Sequence, residues 1–411
     1  MPIAELVAGL FGPDLRVVVR AYDGSSAGPA DAGATLVIRS PDAFRRIVQS
    51  PGQLGVGRAY VAGDLDVEGD IFEALEMRNA FQRVRLDRSE WLHAAKLIGA
   101  SALRPIAPPP EEARLRGGRH SRERDAAAIA HHYDVSNDFY RIVLGPSLTY
   151  SCAVWASPDI TLEEAQAAKY ELICRKLDLQ PGMRMLDVGC GWGGMVMHAA
   201  EHHGVDAVGV TVSRRQAELA EKRVAEAGLS SRVQIRLQDY RDIDDGPFDA
   251  VSSIGMFEHV GLSQLETYFR GLYALLPPQG RLLNHGISRP AGKYRARFQQ
   301  RSFINRYVFP DGELHEVGSV ISAMQRCGFE VRHDESLREH YALTLRAWVR
   351  NLEAGWDDAV AAAGEARARI WRLYMAACAV AFEDGNTQVH QVLGVKANGG
   401  RSGMPLRPAF T

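Results

Sequence analysis

The sequence has no cysteine pattern that would build a disulfide framework or a zinc site. Its five cysteines are odd in number and include no Cys-x-x-Cys pair, which indicates a reducing compartment. It also lacks an uninterrupted apolar run of about 18 residues, and its first residues, Met-Pro-Ile-Ala-Glu, are not a basic and apolar leader. A formal net charge of −2 over 411 residues argues against general nucleic-acid binding. We therefore predict a cytoplasmic protein that meets membranes only at their surface.

A glycine-rich stretch from Arg184 to Gly194 predicts an apolar strand that opens into a turn and then a helix. Glycine permits positive φ and a close approach of the backbone to a ligand, while the first N–H groups of a helix are free. The sequence lacks the acidic residue that a dinucleotide site places after its second strand. Asp187 instead precedes Gly189 by two residues, which suits a small cationic ligand with an amino-acid end. The order resembles motif I of the class I S-adenosylmethionine methyltransferases, although a plain strand-to-helix turn is the alternative.

Short apolar runs alternate with helical patterns beyond this turn, which predicts an α/β fold with a doubly wound, mostly parallel sheet. A capping box at Thr161 and Glu164, with an apolar stripe at Leu162, Ala165, Ala168 and Leu172, predicts the helix that precedes it. Ligands of such sheets lie beyond the carboxyl ends of the strands. The predicted strands after the first are residues 207–211, 233–237, 248–254 and 281–285.

Composition divides the chain into four parts. We predict a smaller N-terminal α+β domain over residues 1–105, a Pro/Arg-rich linker over 106–125, a second domain over 126–396 and a disordered tail over 397–411. The linker arginines either bind anionic lipid headgroups or are simply solvated. An insert over residues 289–310 mixes basic and aromatic residues, which favours a lid that also meets lipid over an RNA-binding patch.

Seven motifs, in order, resemble the cyclopropane-fatty-acyl-phospholipid synthases, which are class I S-adenosylmethionine-dependent methyltransferases. The motifs are Tyr150-Ser-Cys152, Leu186-Asp-Val-Gly-Cys-Gly-Trp-Gly193, Val210-Thr-Val-Ser213, Gln238-Asp-Tyr240, Ile254-Gly-Met-Phe-Glu-His259, Phe309-Pro-Asp-Gly-Glu-Leu314 and His340-Tyr-Ala-Leu-Thr-Leu-Arg-Ala-Trp348. The likeness spans residues 126–395. The N-terminal domain, with the stretch Tyr60 to Gly69, looks like that of the full-length bacterial enzymes, whereas the mycolic-acid cyclopropane synthases lack such a domain.

The resemblance implies transfer of the methyl carbon of S-adenosylmethionine to the double bond of an unsaturated phospholipid acyl chain, through a carbocation. Loss of a proton then gives either a cyclopropane or a methylene branch, the precursor of a methyl branch. Water would trap the cation, so a dry pocket with aromatic walls and one base is required. Candidates for the walls are Tyr133, Phe139, Tyr140, Trp155 and Phe257.

Two sets of site residues follow from the resemblance. The S-adenosylmethionine set is Tyr150, Ser151, Gly189, Gly191, Thr211, Gln216 and Tyr240, to which we add Asp187 of the glycine motif. The catalytic set, at positions that hold a bicarbonate ion acting as base, is Cys152, Glu258, His285, Ile287 and Tyr341. Without the resemblance, a histidine at the end of a strand, such as His285, is more often a core residue with satisfied hydrogen bonds than a catalytic residue. A carboxylate at Glu258, in an apolar run, would be buried at a cost unless a ligand or partner uses it.

The implied partners are unsaturated phospholipid acyl chains and the inner face of the membrane, with no nucleic acid. A homodimer stays open, as does a reductase partner for a methylene product. One position departs from the family: Gly286 stands between His285 and Ile287 where threonine is common, which bears on which proton leaves. The competing functions are a small-molecule C-, N- or O-methyltransferase and a non-catalytic lipid-binding subunit. No metal site is predicted.

Overall fold

The structure is a computed structural model, and it describes residues 2–77, 104–113, 136–292, 302–310 and 312–410. Its contacts define two compact units. Unit 1 comprises Met1–Arg114, Arg295–Pro310 and Leu352–Val380. Unit 2 comprises Leu115–Tyr294, Asp311–Asn351 and Ala381–Thr411. The boundaries therefore differ from the sequence prediction, because two later segments of the chain pack with the N-terminal residues.

The N-terminal part of unit 1 is a small α+β sandwich. Its helices are α1 (Ile3–Phe11), α2 (Asp42–Gln49), α3 (Gln53–Val61) and α4 (Ile71–Glu76), and its strands are β1 (Val18–Ala21), β2 (Ser26–Ala27), β3 (Ala34–Ile38) and β4 (Leu65–Gly69). The sheet order is β2-β1-β3-β4, with β1 and β3 parallel. Asp70 accepts from the backbone N–H of Phe72 at 2.8 Å and so caps α4.

The chain from residue 136 adds eleven described helices and seven strands. The helices are α5 (Asn137–Leu144), α6 (Leu162–Leu177), α7 (Gly194–His203), α8 (Arg214–Glu226), α9 (Phe257–Val260), α10 (Leu265–Ala274), α11 (Phe303–Tyr307), α12 (Val317–Arg326), α13 (Arg338–Ala354), α14 (Trp356–Ala363) and α15 (Glu365–Glu383). The strands are β5 (Arg184–Val188), β6 (Asp206–Thr211), β7 (Val233–Leu237), β8 (Ala250–Ile254), β9 (Arg281–Ser288), β10 (Glu330–Ser336) and β11 (Gln388–Val395).

The seven strands of unit 2 form one sheet in the order β10-β11-β9-β8-β5-β6-β7. The ladders β9-β8-β5-β6-β7 are parallel, and β11 runs antiparallel to both of its neighbours. One face packs on α6 and α7, the other on α9, α10 and α12. The order along the sheet reverses between β5 and β8, which opens a crevice at their carboxyl ends. The predicted α/β class and mostly parallel sheet are confirmed.

Residues 352–380 belong to unit 1 because two buried arginines of α15 satisfy the edge of its sheet. Arg369 donates to the carbonyl oxygens of Tyr60 and Leu65 at 2.7 and 2.9 Å, and it pairs with Asp66 at 3.0 Å. Arg372 donates to the Val67 carbonyl at 3.0 Å. The Leu65 and Val67 carbonyls lie on β4, the last strand of the four-stranded sheet, and the Tyr60 carbonyl lies near the end of α3, so these charge-assisted bonds tie α15 to both elements.

The described parts of the predicted linker and lid also pack in unit 1. Arg45 and Gln49 of α2 donate to the Arg104 carbonyl, and Arg58 holds the Glu112 carboxylate with two hydrogen bonds of 2.8 Å. The hydroxyl of Tyr307, on α11, lies 3.2 Å from the same carboxylate. Residues 104–113, which include the first part of the predicted linker, are thus held in place by these contacts. The rest of the linker and residues 293–301 of the insert lie outside the described residues, and the lid stays a prediction.

The chain after Ala397 packs against β10 instead of forming the disordered tail that its composition predicts. Arg332 donates to the Ser402 hydroxyl at 2.7 Å and to the Pro405 carbonyl at 3.1 Å. The ring of Phe410 lies 5.0 Å from that of His333, edge to face. Long-range contacts of this kind leave no local signal in a Gly- and Pro-containing sequence.

Candidate active site

The glycine turn after β5 folds back against β6. The backbone N–H groups of Gly189 and Cys190 both donate to the Val210 carbonyl at 3.0 Å. Gly189 and Gly191 have φ of +78° and +54°, a conformation that other residues rarely adopt. A Cβ on Gly189 would lie 2.5 Å from the Met256 side chain. Only glycine fits at this point, and the turn leaves its backbone open to a ligand.

A cavity of about 300 Å³ lies at this turn, at the carboxyl ends of the central parallel strands. All eight residues of the S-adenosylmethionine set contribute to its lining: Tyr150, Ser151, Asp187, Gly189, Gly191, Thr211, Gln216 and Tyr240. Three residues that the sequence analysis did not single out for this site, Lys169, Tyr170 and Trp192, also line the cavity. Polar, aromatic and aliphatic groups therefore surround one crevice.

A buried carboxyl and a buried amine share this cavity. Asp187 accepts a 2.5 Å hydrogen bond from the Ser252 hydroxyl, and Lys169 Nζ donates to the Ser151 hydroxyl at 3.1 Å. Burial raises the pKa of Asp187 to about 6 and lowers the pKa of Lys169 to about 7, while the two charges partly offset these shifts. The cavity can therefore present a carboxylate whose charge Lys169 supports.

The loop after β6 is fixed by its own side chains. The Thr211 hydroxyl donates to Gln216 Oε1 at 2.9 Å, and the Ser213 hydroxyl accepts from the Gln216 backbone N–H at 3.4 Å, which caps α8. This polar pair occupies the place after the second parallel strand where a dinucleotide site has its acidic residue. Tyr240 begins a 3-10 turn after β7 and packs edge to face on Tyr268, with ring centroids 4.9 Å apart.

Glu258 lies at the start of the short helix α9 and is buried. Its Oε1 accepts from the backbone N–H of Ile287 at 2.7 Å, while its Oε2 is buried without a hydrogen-bond partner. Burial raises the pKa of this carboxyl to about 7. A buried oxygen without a partner is costly, which indicates that a ligand satisfies it. When the carboxyl is protonated, Oε2 can donate a hydrogen bond to that ligand.

His285 lies on the face of β9 that packs on α6. Its Nδ1 is 3.1 Å from Gln391 Nε2, and Gln391 Oε1 accepts from Lys176 Nζ at 2.7 Å. Since an ammonium can only donate, the amide must turn its NH₂ toward the ring, and the neutral imidazole carries its proton on Nε2. That Nε2 is buried without a hydrogen-bond partner. Burial and the charges of Lys169 and Lys176 lower the pKa of His285 well below its usual value.

Cys152 and Tyr341 meet at one carbonyl. The Cys152 thiol lies 3.6 Å from the Leu337 carbonyl oxygen, to which the backbone N–H of Tyr341 donates at 3.1 Å. Burial raises the pKa of the thiol, so it is not a thiolate. In the catalytic set the structure thus joins Glu258 to Ile287 directly and Cys152 to Tyr341 through this carbonyl. Glu258 and His285 share no hydrogen bond.

Aromatic side chains connect the cavity to Tyr341. The Trp192 ring packs on Tyr140 at 4.8 Å, and the Tyr150 ring packs on Trp348 at 5.3 Å between centroids. Trp348 in turn meets Tyr341 at 6.0 Å, edge to face. Of the other predicted wall residues, Phe139 and Phe257 are buried, Trp155 donates from its indole to Thr344 at 3.0 Å, and Tyr133 lies outside the described residues.

The space that Gly286 leaves is already filled. A Cβ there would lie 2.0 Å from Phe257 Cε1 and 3.2 Å from Glu258 Oε1. The absence of a side chain at this position therefore leaves no empty space in the site. Because position 286 is glycine, the Phe257 ring packs directly against the backbone of β9, with Glu258 Oε1 close by.

In the described part of the chain, no helix is long and apolar enough to cross a membrane. The order of the sheet, its antiparallel β11 and the cavity beside the glycine turn define a class I S-adenosylmethionine-dependent methyltransferase. A family model described as mycolic acid cyclopropane synthetase matches residues 120–392. The chain belongs to this family, as the motifs predicted.

Relatives match over almost the whole chain. A probable fatty acid methyltransferase of Mycobacterium tuberculosis is 48% identical over 402 residues, 94% of this chain and 93% of its own. The cyclopropane-fatty-acyl-phospholipid synthase of Escherichia coli is 35% identical over 88% of both chains. A crystal structure of a mycolic acid cyclopropane synthase complexed with SAH and CTAB has a TM-score of 0.62 and 37% identity, covering 66% of this chain and 98% of that one. The coverage fits an N-terminal domain that the mycolic acid enzymes do not share.

Proposed function

We propose that this enzyme transfers the methyl carbon of S-adenosylmethionine to the double bond of an unsaturated acyl chain of a phospholipid at a membrane surface. The observation that carries the proposal is a pair of buried polar atoms without hydrogen-bond partners, Glu258 Oε2 in α9, just after β8, and His285 Nε2 in β9. An ordinary methyltransferase that acts on a nucleophilic oxygen or nitrogen has no need of two such donors in a dry site.

The cavity fits S-adenosylmethionine. The close approach allowed at Gly189 and Gly191 suits its flat and extended parts, and the Asp187 carboxylate attracts a positively charged ligand. Gln216 and Tyr240 offer an amide and an aromatic face for a nucleoside. When bound, S-adenosylmethionine supplies an electrophilic methyl group on a sulfonium.

The catalytic residues suit an anion more than they suit a direct base. His285 is neutral and its Nε2 carries a proton, so this atom donates and does not accept. Glu258, with a pKa near 7, donates from Oε2 when it is protonated. We propose that both donors face one dry site, where they would hold an oxyanion such as bicarbonate, which would supply a basic oxygen for the departing proton. Tyr341 would add a third donor.

The neighbouring rings of Tyr150, Trp348 and Tyr341 would exclude water from this region. When the alkene attacks the methyl group, one alkene carbon forms the new bond and the other becomes a carbocation. Aromatic faces stabilise that charge, and the absence of water prevents its capture as an alcohol. The positive charge would pass from the sulfonium, which would leave as a neutral thioether, to the acyl chain, and it would then be removed with the departing proton.

The product depends on which proton the base takes. Loss of a proton from the new methyl group closes a cyclopropane ring, while loss from a neighbouring chain carbon leaves a methylene branch. Phe257, seated against Gly286, fixes Glu258 and hence one of the donors around the base. The position of the base relative to the cation therefore selects the product.

The test is incubation of the full chain with vesicles of monounsaturated phospholipid and methyl-labelled S-adenosylmethionine. We expect label in the acyl chain. Proton NMR of the extracted lipid then separates the isomers, because ring protons resonate far upfield and methylene protons resonate among the alkenes. Label on a headgroup or on an added small molecule would indicate the small-molecule methyltransferase instead. Cofactor binding without any transfer would indicate a lipid-binding subunit.

The bicarbonate part has its own test. After careful degassing, turnover should fall and then recover on addition of bicarbonate, while binding of S-adenosylmethionine stays constant. Full turnover without bicarbonate would contradict the proposal that bicarbonate is the base, but it would not contradict the proposed transfer to the acyl chain.

A further inference from the structure

Two neighbouring helices of unit 2 carry a cluster of metal-ligating side chains that the cofactor cavity does not use. One ligand atom each from Cys174, on α6, and His198 and His203, on α7, lie within 4.8 Å of one another. Within the described ranges, no other group of three or more His, Cys, Asp or Glu side chains has this arrangement.

The packing of the two helices brings these side chains together. Tyr170, Ile173 and Cys174 of α6 meet Met195, Val196 and Ala199 of α7 in one apolar cluster. Cys174 lies at the edge of this seam and is buried, while the side chains of His198 and His203 are 13% and 19% exposed. A metal ion can therefore reach the cluster from solvent. The sequence shows no metal-binding motif at these residues, because they come from two separate helices.

The two imidazoles share one carboxylate unequally. His203 Nε2 lies 2.9 Å from Glu171 Oε2, which is an ordinary hydrogen bond. His198 Nε2 lies 3.6 Å from the same oxygen, beyond hydrogen-bond distance, and is buried without a partner. The hydrogen bond to Glu171 thus satisfies His203 Nε2, but His198 Nε2 has no hydrogen-bond partner and lies near the Cys174 thiol. Buried polar atoms of this kind generally have a partner in native proteins.

We propose that Cys174, His198 and His203 bind one zinc ion, with the Glu171 carboxylate completing the coordination. Zinc takes sulfur at about 2.3 Å and imidazole nitrogen at about 2.0 Å in tetrahedral sites, so neighbouring ligand atoms stand roughly 3–4 Å apart. The ligand atoms of Cys174, His198 and His203, which lie within 4.8 Å of one another, would move closer together on binding. The mixture of one thiolate, two imidazoles and a carboxylate suits zinc and excludes magnesium and calcium, which take oxygen ligands. Binding displaces the thiol proton into solvent.

The ion would act on the cofactor cavity through structure. The His198 ring lies 5.6 Å from the Tyr170 ring, and Tyr170 lines the cavity. Gly194, the first residue of α7, packs against the same tyrosine: a Cβ on Gly194 would lie 2.2 Å from the Tyr170 hydroxyl oxygen. Zinc would fasten α6 to α7 and hold this wall in place, and it would stabilise the folded chain by mass action.

The test uses the full chain after removal of metal by a chelator, titrated with Co²⁺ and then with Zn²⁺. We expect one equivalent of cobalt, with the thiolate-to-cobalt charge-transfer band and the intense visible bands of a tetrahedral site. Zinc should displace the cobalt and raise the midpoint of thermal unfolding. A chain that takes up neither metal stoichiometrically, or whose cobalt spectrum lacks the thiolate band, would overturn the proposal.

Matched variants sharpen the test. His198→Ala and His203→Ala should each weaken zinc binding by at least about 100-fold, and Cys174→Ala should abolish the charge-transfer band. His202→Ala, on the same helix with a side chain that is 54% exposed, and Cys327→Ala should bind as the parent does. The two histidine variants carry the test if Cys174→Ala fails to fold. Equal loss in His202→Ala, or undiminished binding in His198→Ala, contradicts the assignment.

Discussion

Gln391 lies directly opposite His285 in the antiparallel ladder between β9 and β11, and its side-chain NH₂ group is 3.1 Å from the ring Nδ1. Lys176 fixes the other end of the same amide. A strand that contributes no residue to the cofactor cavity thus determines which nitrogen of His285 carries the proton. The tautomer, and with it the ability of Nε2 to donate to an anion, depends on this second contact.

Replacing Gln391 with glutamate should reverse the tautomer. A carboxylate accepts from Nδ1–H, so the proton moves to Nδ1 and Nε2 becomes an acceptor that cannot hold an anion. We expect turnover to fall by about 100-fold, the scale of a lost acid–base contribution, with binding of S-adenosylmethionine unchanged.

Nitrogen-15 NMR of labelled histidine reads the tautomer directly, and a purely structural role of Gln391 would not move it. Gln388→Glu, on the same strand, serves as the control and should keep the parent rate and tautomer. An unchanged His285 spectrum in Gln391→Glu would show that the amide does not set the tautomer.

Glu258 provides the second prediction. Glu258→Gln keeps the shape of the side chain and the Ile287 hydrogen bond but removes the titrating proton. We expect turnover to fall by about 100-fold or more, while the affinity for S-adenosylmethionine, measured by calorimetry, stays within about twofold. The exposed Glu266→Gln on α10 should behave as the parent. A Glu258→Gln enzyme at normal rate would remove Glu258 from the catalytic set.

Burial of Glu258 also predicts a dependence of stability on pH. The pKa of its carboxyl rises from 4.5 to about 7 in the folded chain, so the folded state binds this proton more tightly than the unfolded state does. The resulting contribution is most favourable below about pH 4.5 and is lost as the pH rises to about 7. Above that pH the ionised group costs on the order of 3 kcal/mol.

Glu258→Gln should therefore be more stable than the parent at pH 8 and should match it near pH 4.5. Urea unfolding of both proteins across this range gives the difference. If the advantage of the variant does not grow with pH, the carboxyl is not buried in the manner that the structure shows.

The sequence predicted the elements whose signals are local. The predicted strand over residues 233–237 coincides with β7, and Thr161 and Glu164 form the expected capping box of α6. Both depend on periodicity and on residues three positions apart, which short-range physics fixes. The same holds for the glycine turn, where the need for positive φ is visible in the residue type.

What the sequence could not show depends on contacts that are distant along the chain. The strand β11 was not predicted, and with it Gln391 was missed, because the valines at 389, 392 and 395 are three residues apart and do not show the two-residue period of a strand. Only part of the predicted apolar stripe of α6 is correct: Ala165 is buried, but Ala168 and Leu172 are only partly buried, and Lys169 and Tyr170 are buried instead. The sequence alone cannot distinguish a buried lysine from a solvated one, because the carboxylate that pairs with it is distant along the chain.

Gly286 gives the fourth prediction. In Gly286→Thr, the Cβ would meet the Phe257 ring at 2.0 Å, so either the ring or β9 must move. We expect a loss of about 1–3 kcal/mol in the free energy of unfolding, the usual cost of overpacking, and a shift in the ratio of ring to methylene product as Glu258 is displaced.

A second substitution that removes the ring, Phe257→Val, should restore much of the stability of Gly286→Thr. Gly271→Ala serves as the control, because nothing lies within 4 Å of a Cβ there. That variant lies in helix α10 and should be slightly stabilised. Equal effects of Gly286→Thr with and without Phe257 would contradict the proposed clash.

Lys169 gives the last prediction. Its ammonium donates to Ser151 and supports the charge of the buried Asp187. In Lys169→Met the carboxyl loses this support, its pKa rises further above 6, and less of it is ionised at pH 7. We expect the affinity for S-adenosylmethionine to fall by about tenfold or more, since a buried group without its partner costs about 1–3 kcal/mol.

The loss of affinity in Lys169→Met should diminish as the pH rises and Asp187 ionises. Calorimetry at pH 6.5 and pH 8.5 separates this electrostatic effect from a distorted cavity, which would weaken binding equally at both. Lys222→Met, whose side chain is 68% exposed on α8, should bind the cofactor as the parent does. If Lys169→Met binds as tightly as Lys222→Met at both pH values, Lys169 does not support the charge of Asp187.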